Sequence, residues 1–176
     1  NYEIDAIYPV GSVPKVVEAT PDNKYVLAAN WCSYTVSVIS VDAQKVVKTI
    51  KIGRYPRGIA ISNDSKRAYV AEMGGNRVHV INLEDFTVTH IPIGSNPRAI
   101  VLSPDNTMMY VTMNLSGKVA SWDLSANKAG KSVKTGEAAR SLAISSDGSA
   151  MFVVYFKSNT MSKVRTSDMK VLETIK

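Results

Sequence analysis

At 176 residues and 45% hydrophobic content, the chain has the size of one domain and enough apolar side chain for a core, which excludes a disordered segment. Its 21 Lys+Arg against 15 Asp+Glu leave a charge of +6, which favours anionic partners: nucleic acid, acidic glycans or lipid headgroups. A single cysteine, Cys32, excludes an internal disulfide, and no apolar run is long enough for a helix to cross a bilayer.

Residues Asn1 to Asp5 lack the basic and apolar regions of a signal peptide, so any targeting segment is expected upstream of them. Residues 4–10 lead into Gly11 as an extended stretch. From there a repeat runs to the end of the chain: Gly11, Gly53, Gly94 and Gly136 are 42, 41 and 42 residues apart. Three residues after each glycine come Pro14, Pro56, Pro97 and Ala139, each followed by a basic residue: Lys15, Arg57, Arg98 and Arg140. Asp22, Asp64, Asp105 and Asp147 keep the same step and read as turn formers that accept hydrogen bonds from nearby backbone amides.

Inside one repeat the apolar residues alternate with a period of two, and turn residues break the pattern every 8 to 12 positions. The second repeat predicts strands at Gly58 to Ser62, Ala68 to Ala71, Val78 to Ile81 and Thr87 to Ile91. β-Branched residues dominate, and no window forms an amphipathic helix. Four strands per 42-residue unit predict an all-β propeller, each blade one small antiparallel sheet. The expected blades are 11–52, 53–93, 94–135 and 136–176, with 1–10 as the outer strand of a preceding blade. Both ends then supply the same strand, so the four blades are expected to form an open arc that does not seal into a ring, with end blades exposed to association. In the fourth repeat the third strand, Ser162-Lys163-Val164-Arg165, departs furthest from the pattern.

These residues resemble the YVTN-type β-propeller repeats of bacteria and archaea. The resemblance covers nearly the whole chain and rests on Pro56-Arg57-Gly58-Ile59-Ala60-Ile61-Ser62, Ser103-Pro104-Asp105-Asn106, Tyr110-Val111-Thr112 and Val36-Ser37-Val38-Ile39-Ser40. It implies a ring of about seven blades, of which this chain would be a part. Family members serve as surface proteins, binding modules and occasionally enzymes, and some bind DNA, so the fold alone does not assign a function.

Radial sheets leave loops and the inner edge to meet a ligand. Lys15, Arg57, Arg98 and Arg140 are expected to converge on one face near the axis, where guanidinium groups suit carboxylate, phosphate or sulfate. Trp31, Tyr34, Glu72 and Asn114 are expected on the same face. The bland alternative is that the basic residues brace loop carbonyls or neighbouring acids. Cys32 is expected to be buried and inert. His79 and His90 lack the companions for a metal site or a catalytic triad, and no phosphate-binding glycine loop or cofactor motif occurs.

The leading expectation is therefore a non-catalytic binding module, without a cofactor, presenting a basic funnel to a protein, a glycan or another anionic ligand. The periplasm or the cell surface is its expected location. Single-stranded nucleic-acid binding is the alternative, supported by aromatic residues beside cations, such as Tyr55 next to Arg54 and Arg57. A lactonase- or lyase-like enzyme is the third reading, with its catalytic half outside these residues.

Overall fold

Period-two alternation and regularly spaced turns build sixteen short strands over residues 3–176, which are those described by the computed structural model. The first blade holds β1 (Pro14–Ala19), β2 (Tyr25–Asn30), β3 (Thr35–Ser40) and β4 (Lys45–Lys51). The second holds β5 (Pro56–Ile61), β6 (Arg67–Glu72), β7 (Arg77–Asn82) and β8 (Val88–Pro92). In the third come β9 (Pro97–Leu102), β10 (Met108–Met113), β11 (Lys118–Asp123) and β12 (Lys128–Lys134). The fourth has β13 (Ala139–Ile144), β14 (Ala150–Tyr155), β15 (Thr160–Arg165) and β16 (Lys170–Ile175). Each blade is one antiparallel sheet in sequence order, and no helix occurs among the described residues. The divergent Ser162-Lys163-Val164-Arg165 stretch pairs on both sides, with β14 and with β16.

The repeated aspartates organise the turn between first and second strands. Asp22 accepts hydrogen bonds from Thr20 Oγ1 (2.6 Å) and the Lys24 amide (3.1 Å), and Asp64 does the same with Ser62 Oγ (2.6 Å) and the Lys66 amide (3.0 Å). The equivalents at Asp105 and Asp147 use Ser103 and Ser145. Hydroxyl donors first and backbone amides second hold all four carboxyls below their usual range, Asp147 at about 2. A carboxyl depressed in the folded state adds stability above the unfolded value, near 3.9, and loses it as pH falls through the folded value. The thermal midpoint should therefore hold from pH 7 to about 4 and drop steeply toward about 2. Replacing all four aspartates by Asn should flatten that drop, and an unchanged acid limb would show that other groups drive acid unfolding.

Apolar clusters lie between blades. Leu27, Ala29, Val36 and Val38 of the first blade pack against Ile59, Ala68, Val70 and Ile81 of the second. Tyr69 and Ala71 meet Ile100, Met109 and Val111 at the next joint, and Tyr110 meets Met151 and Val153 at the last. Inner strands follow one another from β1 to β5, β9 and β13, and among the described residues β13 makes no comparable contact with β1, so the four blades form an open arc.

Residues 4–10, expected as the outer strand of a preceding blade, pair with no sheet here, and Ala6 to Pro9 line a shallow cleft beside Gln44, Lys45 and Val46. One expectation is corrected. Cys32 is exposed, because it sits in the turn after β2, with its amide donating to Ser12 O at 3.1 Å, and not in a joint.

Just before each inner strand a residue takes a left-handed conformation: Val13 (φ 54), Tyr55 (φ 60), Asn96 (φ 57) and Ala138 (φ 57). This is costly for β-branched Val13, since its Cβ crowds the following carbonyl. Val13→Asn, which accepts that region, should raise stability by about 1 kcal/mol, or about 2–4 °C in melting temperature. A lowered midpoint would show that the partly exposed Val13 side chain contributes more by packing than it costs in strain.

Candidate functional site

The left-handed residue is followed by a second irregularity. In every blade the inner strand carries one extra residue relative to its partner, between Pro14 and Val16, between Pro56 and Ile59, opposite Val111 to Met113, and between Ala139 and Ser141. These bulges fall at Lys15, Arg57, Arg98 and Arg140. A bulge bends the strand and re-aims a side chain, so each basic residue sits at an irregular point of its inner strand. Proline is not required: the fourth blade, with Ala139, keeps both the left-handed turn and the bulge.

The arginines share one region. Arg98 is 8% exposed. Burial, followed by the charges of Arg140 and then Arg57, lowers its guanidinium to about 10. Arg57 is also pushed down, by burial first and by Arg140 second. Lys15, on β1 at the open end of the arc, is exposed.

None of the four has an acid in reach: among the described residues, no carboxylate lies within 4.0 Å of their charged nitrogens. Their neighbours are soft and aromatic. Arg57 lies over the Trp31 ring at 5.9 Å and Arg140 over Phe156 at 4.4 Å, while Arg98 Nη1 stands 3.7 Å from Met73 Sδ. Packing over a ring holds a guanidinium in place and leaves its in-plane donors free for an anion, as at Arg57 and Arg140, whereas Arg98 turns one Nη1 donor to the Met73 sulfur.

Trp31, Met73, Asn114 and Phe156 occupy one repeat position, the residue after each second strand. Their amides donate to Val13 O (3.0 Å), Tyr55 O (3.1 Å), Asn96 O (3.0 Å) and Ala138 O (3.2 Å). Sequence reading singled out Trp31 and Asn114 but missed Met73 and Phe156. Counting one residue past each second strand reveals all four.

Other candidates have different surroundings. Tyr55 stacks on Trp31 at 4.8 Å and meets Tyr34 edge-on at 5.4 Å, making an aromatic step beside Arg57. A hydrogen bond with Tyr55 is the main cause that raises the Tyr34 hydroxyl above its usual value. The Glu72 carboxylate is engaged already, 3.0 Å from His79 Nε2, 3.5 Å from Arg77 Nε and accepting the Arg54 amide at 3.2 Å. Burial pushes His79 down against the pull of Glu72. Asn114 donates through Nδ2 to Ala139 O at 3.1 Å, bracing the start of β13. No group of three or more His, Cys, Asp or Glu stands together among the described residues.

The same architecture recurs in solved structures. Hydrazine synthase of Kuenenia stuttgartiensis superposes with a TM-score of 0.88 at 19% identity, covering 99% of this chain and 52% of that one. A protein from Desulfotomaculum acetoxidans superposes at 0.86 and 18% identity, covering 98% and 59%. At these identities the likeness shows the fold alone.

Among curated proteins, the antigen Lp49 of Leptospira interrogans is 30% identical over 152 residues, covering 81% of this chain and 33% of that protein. A seven-bladed β-propeller protein of Mycobacterium tuberculosis is 30% identical over 111 residues, covering 60% and 27%. The chain thus spans about a third or less of the length of the curated relatives it matches. One family profile accounts for residues 7–169, and the chain belongs to that family, the domain of unknown function DUF7165.

Proposed function

We propose that the chain is a non-catalytic binding module whose basic axial mouth takes up an anionic group carried by a protein, a glycan or another ligand. The observation that carries this reading is Arg98: a guanidinium 8% exposed, beside Met73, with like charges near it and no carboxylate within ion-pair distance among the described residues. A buried cation without a counter-ion costs folding free energy, and an anion entering the mouth offsets that cost. Resemblance to YVTN-type repeats, and a relative whose name is antigen, support a position outside the cytoplasm.

The test is calorimetric titration with a sulfated heparin-derived oligosaccharide, comparing the unaltered chain with the Arg57→Ala/Arg98→Ala variant. One observation favours a second reading. The Trp31 and Tyr55 stack beside Arg57 offers a platform for an unpaired base. Oligo-dT binding whose affinity falls steeply with salt would support that reading, and no binding at low salt would remove it.

A further inference from the structure

One group of repeat positions changes character in the third blade, which has a neighbouring blade on either side. The group is the last residue of the second strand with the first and third residues of the third strand. In the first blade Asn30 Nδ2 donates to Thr35 Oγ1 at 3.1 Å and to Ser37 Oγ at 2.9 Å. In the second blade Glu72 holds Arg77 and His79. The fourth blade puts the Tyr155 ring at the Asn30 position and joins Ser162 Oγ to Thr174 Oγ1 at 2.8 Å. The third blade carries Met113, Lys118 and Ala120 instead. A thioether and a methyl group make no such network, and alanine fills far less space than the His79 ring at the same position.

The place is open as a cavity of about 440 Å³, between the loop that follows β8 and the strands β11 and β12. That volume falls in the range of small-molecule sites, which pair an apolar lining with a few polar groups. Ile93, Met113, Ala120 and Trp122 line it and belong to the apolar cluster of the second joint, so its floor is core. Leu115 stands on the rim and is 78% exposed, a large apolar side chain kept in water beside an apolar hollow. Trp122 is 8% exposed, and its Nε1–H is buried without a hydrogen-bond partner. Lys118 is the one charged residue of the lining, and among the described residues no carboxylate lies within 4.0 Å of its ammonium.

We propose that this cavity binds a small aromatic carboxylate, with its ring among Met113, Leu115 and Trp122 and its carboxylate at Lys118. An indole receives an aromatic ring by stacked or edge contact, and a thioether sulfur favours ring edges. A lone ammonium at a mouth without acids favours an anion, and an ionised pair makes the stronger kind of hydrogen bond. Arg57, Arg98 and Arg140 are not part of the lining, so the proposal does not rest on the anion-binding reading of the axial mouth.

Calorimetric titration with naphthoate, beside its uncharged analogue naphthamide, tests it. The expected result is one site for naphthoate with a Kd of about 0.1 mM or tighter. Naphthamide should bind about tenfold more weakly, for want of the charge-assisted bond. In the unaltered chain the Trp122 indole proton signal should shift as naphthoate is added. Lys118→Gln should weaken naphthoate to the level of naphthamide. Ala120→Leu, which fills the cavity, should abolish binding of both while the melting temperature holds or rises. Because Lys118 is exposed, its variant keeps the test intact if Ala120→Leu does not fold. Absence of saturable binding at about 1 mM, or equal affinity for the two probes, would overturn the proposal. Naphthoate uptake that survives both substitutions would overturn it too, and would place the anion at the arginine mouth.

Discussion

Replacing Arg57 and Arg98 together by alanine is expected to weaken binding of a sulfated oligosaccharide by about 100-fold or more, while the fold survives. Each charge-assisted hydrogen bond is worth about 1.5–3 kcal/mol when partly shielded from water. Arg98 offers such shielding at 8% exposure, and Arg57 is pushed below its ordinary value mainly by burial. The companion variant Arg98→Met separates binding from bracing. It keeps the apolar stem beside Met73 and removes a buried cation that has no acid in reach. The unliganded chain should then gain about 1 kcal/mol, or about 2–4 °C in melting temperature, while losing most of its affinity. Functional sites often carry such local instability. A midpoint lowered by several degrees with affinity unchanged would make the arginines loop braces. The binding surface would then lie among Trp31, Tyr34 and Asn114.

The second large effect concerns the joints. Leu27 is 0% exposed and sits in the cluster that holds the first blade against Ile59 and Val70 of the second. Leu27→Ala should cost about 2–5 kcal/mol, because it removes buried methyl groups and leaves a cavity that the rigid sheets fill only in part. Against a total stability of about 5–15 kcal/mol this is a large fraction. The loss should also be local, since each blade contacts only its neighbours. Amide exchange should show β1 to β4 losing protection before β9 to β12. Leu27→Met, which nearly conserves volume, should cost less than about 1.5 kcal/mol. Uniform loss of protection over all four blades would show that the arc unfolds as one unit.

Much of the fold is legible in the sequence because the same local instructions recur. Asp22, Asp64, Asp105 and Asp147 each have a hydroxyl residue two positions before them, Thr20, Ser62, Ser103 and Ser145, and this short-range pairing fixes the turn without help from distant residues. The divergent third strand of the fourth blade forms because Ser162 and Val164, two residues apart, keep the buried alternation. The site is less legible. Glu72 looks like an acid free to meet a ligand, yet it lies under His79 and Arg77 of β7 and the Arg54 amide of the loop before β5.

By itself the sequence determined the all-β class, the four-blade period, the turn aspartates and the placement of one cation at an equivalent point of each blade. These follow from local periodicity and turn chemistry, which act over a few residues and repeat with the chain. Tertiary structure decided what each copy of a position experiences. Arg98 is 8% exposed, whereas Arg57 and Arg140, at the same place in the repeat, are half-buried. Ile59 and Leu142 differ in the same way, one 4% exposed and the other half-buried. The reason is that the core lies between blades, so burial, desolvation and the loss of an ion-pair partner depend on the neighbouring blade, which a repeat's own sequence does not encode.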